Sequence, residues 1–73
     1  RKEDIPLLIN RFLEEIATDY GSKPKSMDHE AINYLQNQSW TGNVRELRNV
    51  VERLFIMSNN SITKDDVIKY AAK

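Results

Sequence analysis

Ile5, Leu8, Ile9, Phe12, Leu13, Ile16, Ala17 and Tyr20 recur at steps of three and four along one stretch of the chain. No other feature constrains the fold as strongly. A period near 3.6 gathers these side chains on one face of a helix, whereas a strand would divide them between two faces. Arg11, Glu14, Glu15, Thr18 and Asp19 fall outside the stripe. A broad apolar face of this kind reads as core rather than as a ligand groove. Asp4 stands where a cap belongs. Pro6 is tolerated in the first turn, where its missing N–H would have no partner anyway. The spacing predicts a helix over 5–20.

Gly21-Ser22-Lys23-Pro24-Lys25-Ser26 breaks the pattern, since glycine ends helices and proline does not continue them. Lys23 and Lys25 read as a solvated loop, with a contact to phosphate or a neighbouring subunit as the sharper alternative. Asp28 is expected to cap a second helix over 28–38, with Ala31, Tyr34 and Leu35 inward and Ile32 beside them. His29 falls in its exposed first turn without partners at metal-ligand spacing, so it reads as a surface residue. A third helix is expected over 44–58. Val44, Leu47, Val50, Val51, Leu54 and Phe55 form its core face, and Arg45, Arg48, Asn49 and Glu52 a polar stripe beside it. Asn59-Asn60 ends it. Thr63 and Asp66 have the spacing of a capping box for a last helix over 64–71, through Val67, Ile68 and Ala71, and Ile62 is placed to staple onto Val67. No segment alternates like a strand. The expected fold is all-α, a compact four-helix bundle in a single domain of 73 residues.

That size lies near the lower limit for a self-sufficient core. With no cysteine, disulfides and thiolate metal sites are excluded. No apolar run approaches the ~18 residues of a membrane span, and no signal-peptide pattern opens the chain. Eleven basic and 11 acidic residues cancel, which disfavours direct DNA binding by the fragment alone. There is no phosphate loop of the form GxxxxGK[ST], no HExxH and no Cys/His pair. Asp65-Asp66 is explained by cap and dipole chemistry at a helix start. No catalytic residue and no metal site are assigned, and the fragment is not expected to be an enzyme.

The most specific local signal is Trp40-Thr41-Gly42-Asn43-Val44-Arg45-Glu46-Leu47-Arg48-Asn49. Asn43 can cap the third helix after the turn at Gly42, and Glu46 can reach back to close a capping box. Arg45 then stands beside the free N–H groups of a helix start, which favour an anion, and its planar guanidinium fits phosphate oxygens. On spacing alone, the same residues also read as a solvated arginine beside a well-capped helix.

That block resembles the C-terminal lid subdomain of AAA+ ATPases that activate sigma-54 RNA polymerase, the nitrogen-regulatory response-regulator and enhancer-binding family. Further matches are Arg1-Lys2-Glu3-Asp4-Ile5-Pro6-Leu7-Leu8 with Phe12, Ala31 and Leu35, Glu52-Arg53, and Ile62 with Asp66. Thr41 departs from the family's usual proline. The resemblance implies that Arg45 is the sensor II residue, reaching ATP held with magnesium mainly on a larger α/β core subdomain. Gly42, Asn43 and Glu46 would support that site at the helix start. Trp40 would anchor the turn against the bundle, with adenine stacking as the alternative, and Ile5 and Pro6 would border the adenine pocket. Glu52-Arg53 would make structural ion pairs, with a contact between subunits as the sharper alternative. Residues 1–4 would end a linker from the core, with a hinge beside Asp4-Ile5-Pro6.

The implied partners are that core, neighbouring subunits of a homo-oligomeric ring, expected to be a hexamer, and sigma-54 RNA polymerase. The implied setting is the bacterial cytoplasm, away from any membrane. Tight ATP binding by the fragment alone is not expected. Two rivals are a helix-turn-helix DNA-binding module built from the second and third helices, and a purely structural helical interaction module.

Overall fold

The computed structural model describes residues 4–38 and 44–71. The element order is α1 (Ile5–Tyr20), β1 (Ser26–Met27), α2 (His29–Gln36), α3 (Val44–Met57), β2 (Ser61–Ile62) and α4 (Lys64–Tyr70). The helices agree with the expected spans to within two residues at each end. α1 packs mainly on α3 and α2 on α4, with further contacts between α1 and α2 and between α3 and α4.

The apolar stripe of α1 does what its period requires. Ile5, Ile9, Phe12, Leu13, Ile16 and Ala17 are buried, and they join Ala31, Leu35, Leu47, Val50, Val51, Leu54, Phe55, Ile62 and Val67 in one core. Three aromatic or apolar residues expected inside are exposed instead. Tyr20 is 50% exposed, Tyr34 36% and Val44 50%. Tyr20 ends α1 with its ring centre 5.9 Å from that of Phe55 and its hydroxyl at the surface. Val44 opens α3 one turn before its first buried residue, Leu47. Ile68 of α4 is exposed as well.

α1 ends in a Schellman arrangement: Gly21 takes φ 63, its N–H bonds Thr18 O at 3.1 Å, and Ser22 N–H bonds Ala17 O at 2.9 Å. The Thr63/Asp66 capping box of α4 is present in both directions, at 3.2 and 3.0 Å. Asp4 and Asp28 occupy N-cap positions, but neither side chain bonds its own helix. Asp28 Oδ1 instead accepts from Ser61 Oγ at 2.9 Å.

That bond belongs to an element absent from the sequence reading. β1 and β2 form a two-stranded parallel ladder, Ser26 opposite Ser61 and Met27 opposite Ile62. Ser26 N–H bonds Asn60 O at 3.1 Å, and Asp28 N–H bonds Ile62 O at 2.8 Å. Two residues are too few for alternation to appear in a sequence. The ladder joins the segments that precede α2 and α4, and Met27 and Ile62 enter the core from it.

Candidate functional site

Arg45 is the second residue of α3 and exposed. Among the described residues no hydrogen bond or ion pair engages its guanidinium. Glu46 beside it is half-buried. Trp40, Thr41, Gly42 and Asn43, and with them the expected turn, anchor and cap of α3, lie outside the described residues. Ile5 is 5% exposed and Pro6 half-buried. Ile5 therefore spends most of its side chain on the core, and Leu7, at 70% exposure, is the apolar residue that this end of α1 presents to solvent.

One turn after Arg45, Arg48 behaves differently. Its Nη2 lies 3.2 Å from Asp19 Oδ2, its Nη1 3.4 Å from Glu52 Oε1 and its Nε 4.0 Å from Glu15 Oε1. The guanidinium thus spans α1 and α3. Tyr20 extends the cluster by donating its hydroxyl to Glu52 Oε2 at 2.8 Å. That hydrogen bond, aided by partial burial and the Glu52 charge, raises the phenol above its ordinary pKa of 10.0. The polar ties between these helices join Glu15, Asp19 and Tyr20 of α1 to Arg48 and Glu52 of α3. Among the described residues none links Ile5 or Pro6 to Arg45.

The polar stripe of α3 is therefore divided. Glu52 is in an ion pair with Arg48, but among the described residues Arg53 is in none: its guanidinium donates to Tyr70 O at 3.5 Å, near the C-terminus of α4. Among the described residues Arg45 is left as an unengaged cation at a helix start, an arrangement that suits an anionic oxygen.

Lys25 lies in the loop between α1 and β1 but is not solvated there as expected. It is half-buried, its ammonium donates to Phe55 O and, at 2.7 Å, to Ser58 O, and it sits 4.7 Å from the centre of the Phe55 ring. A cation on the last carbonyls of α3 satisfies acceptors that the helix cannot satisfy itself. Nothing local in the sequence marks this contact, because its partners are 30 and 33 residues away. His29 is exposed, and the described residues contain no group of three metal-ligating side chains. No helix among them is long and apolar enough to cross a membrane.

The family model described as an AAA+ ATPase lid domain matches residues 1–73. The chain belongs to that family. A protein of Rickettsia typhi named as an NtrX-like response regulator is 44% identical over 69 residues, covering 94% of this chain and 14% of the relative. The alginate biosynthesis transcriptional regulatory protein AlgB of Pseudomonas aeruginosa is 39% identical over 72 residues, covering 99% of this chain and 16% of AlgB. Among solved structures, NtrX from Brucella abortus in complex with ADP aligns with a TM-score of 0.78 at 42% identity, over 90% of this chain and 16% of that one. The AAA+ lid thus spans only a small part of each regulator it matches, in agreement with the resemblance carried by the Trp40–Asn49 block.

Proposed function

We propose that this chain is the lid of a sigma-54-interacting AAA+ ATPase that activates transcription, and that Arg45 is its sensor II residue. The observation that carries the reading is an exposed arginine, unengaged among the described residues, in the first turn of α3 of an AAA+ lid. In the intact protein the α/β core holds Mg-ATP and performs hydrolysis. The lid supplies the Arg45 guanidinium to the phosphates, so its position relative to the core differs between ATP and ADP. Rigid-body movement about the Asp4-Ile5-Pro6 hinge transmits that difference to neighbouring subunits of a hexameric ring, and through the ring to sigma-54 RNA polymerase. Pro6 and the exposed Leu7 border the adenine side, with Ile5 supporting them from the core. Gly42, Asn43 and Glu46 hold the helix start, and Trp40 anchors it. The residues of this chain fit such a ligand as a single phosphate contact, and the magnesium ion and the rest of the nucleotide rest on the core.

The relatives' names as regulators and the ADP in the Brucella abortus NtrX structure support the reading. A DNA-binding helix-turn-helix gains nothing from the geometry: Arg48 is occupied by carboxylates, Arg53 by a carbonyl, and the net charge is zero. The test is Arg45→Ala in the intact regulator, read by ATP turnover and sigma-54-dependent transcription. Loss of one charge-assisted contact lowers turnover roughly ten- to a hundredfold, corresponding to about 1.5–3 kcal/mol. Arg45→Lys recovers only part, because an ammonium lacks the planar fork. Wild-type turnover in Arg45→Ala refutes the assignment.

A further inference from the structure

We propose that Arg48 is a positioning residue for Arg45: its ion pairs to α1 fix the rotation of α3 about its axis and so aim the sensing guanidinium. The inference rests on the sensing role proposed above and goes beyond it. Arg45 and Arg48 are three residues apart on α3, so they project about 60° apart around the helix and are separated by roughly 4.5 Å along it. Arg45 has no tie of its own among the described residues. Arg48, one turn further on, is bonded across to Glu15 and Asp19 of α1.

The guanidinium of Arg48 is tied across to two side chains of α1. Asp19 and Glu15 stand four residues apart on α1, and both face the guanidinium, at 3.2 and 4.0 Å. Glu52, one turn further along α3, holds it from its own helix at 3.4 Å and is itself fixed by the Tyr20 hydroxyl of α1 at 2.8 Å. Arg11 competes for Glu15 from one turn earlier in α1, at 3.8 Å. Apolar packing by Leu47, Val50 and Val51 holds α3 against the core. The Arg48 pairs add a directional, charge-assisted tie at its surface. At the helix surface, roughly 6 Å from the axis, each 10° of rotation displaces a side chain by about 1 Å. A misplacement of that size matters for a group that must meet a phosphate oxygen.

The experiment is a double-mutant cycle in the intact AAA+ protein, with ATP affinity measured for wild type, Arg48→Met, Arg45→Ala and the double variant. Methionine keeps an aliphatic stem and removes the charge. Thermal melts of all four proteins establish that each is folded at the temperature of the titration. Expected is a three- to tenfold loss of ATP affinity in Arg48→Met, roughly the scale of a small ion-pair network. That loss should vanish in the Arg45→Ala background, and Arg48→Lys should restore part of it. A purely structural role would lower the melting temperature and leave affinity in the folded protein alone. Should Arg48→Met fail to fold, Asp19→Asn carries the same cycle, since it leaves α3 untouched and removes the 3.2 Å pair. Unchanged affinity, or a loss that persists undiminished without Arg45, overturns the positioning role. Unchanged affinity in Arg45→Ala alone overturns the sensing role first, and this inference with it.

Discussion

Lys25 and Tyr20 show how a residue's surroundings change what its type suggests. Lys25 caps α3 from a distant loop, so Lys25→Met should destabilise the domain by about 1–2 kcal/mol. Denaturant melts measure this directly, and a loss near zero would mean that solvent satisfies those carbonyls equally well. Tyr20 donates to Glu52, which favours the protonated phenol in the folded state and raises its pKa above 10.0. The contribution is complete below the unfolded pKa and fades as pH rises through the raised folded value. Difference titrations of tyrosinate absorbance, wild type against Tyr20→Phe, should show one phenol ionising later than an ordinary tyrosine. A phenol titrating at the ordinary value would mean the bond is not maintained in solution. Neither role was legible in sequence, because both depend on which side chains the fold brings together across about thirty residues. The Arg48–Glu52 pair was half-visible as an i,i+4 spacing. Its partners on α1 were not.

At the scale of elements, periodicity and punctuation were enough where they were long or chemically specific. Sixteen residues of α1 carry several turns of repeated apolar spacing, and its stop is written in Gly21. The Thr63/Asp66 box was equally legible, since a capping box is a fixed spacing of two residue types. The β1–β2 ladder was missed because four residues hold no period, and the caps assigned to Asp4 and Asp28 failed because residue type at a helix start does not force a side-chain bond. Gly21 offers a clean test. A Cβ there would meet nothing within 4 Å, so only its φ of 63 opposes substitution. Gly21→Ala should cost about 1–2 kcal/mol, the penalty of a left-handed L-residue. An unchanged melt would show that the end of α1 relaxes into another turn.

For the whole molecule, the described residues have a radius of gyration of 11.0 Å, close to the roughly 11 Å expected of a globule of this length. The fold class was legible because the apolar faces add up to a single core. The candidate site was legible only in part: the block around Arg45 pointed to phosphate, but three of its supporting residues, Trp40, Gly42 and Asn43, lie outside the described residues. A lid whose proposed share of the site is one phosphate contact should fold as an isolated chain yet bind Mg-ATP weakly or not at all. Calorimetry on the isolated chain checks this, and a low-micromolar dissociation constant would contradict it. The central claim is that Arg45 distinguishes nucleotides by their phosphates, and paired titrations of the intact protein with ATP and ADP test it most directly. The account predicts that Arg45→Ala weakens ATP about ten- to a hundredfold and ADP much less, so that the preference for ATP shrinks. Equal affinities in wild type and Arg45→Ala for both nucleotides would contradict it.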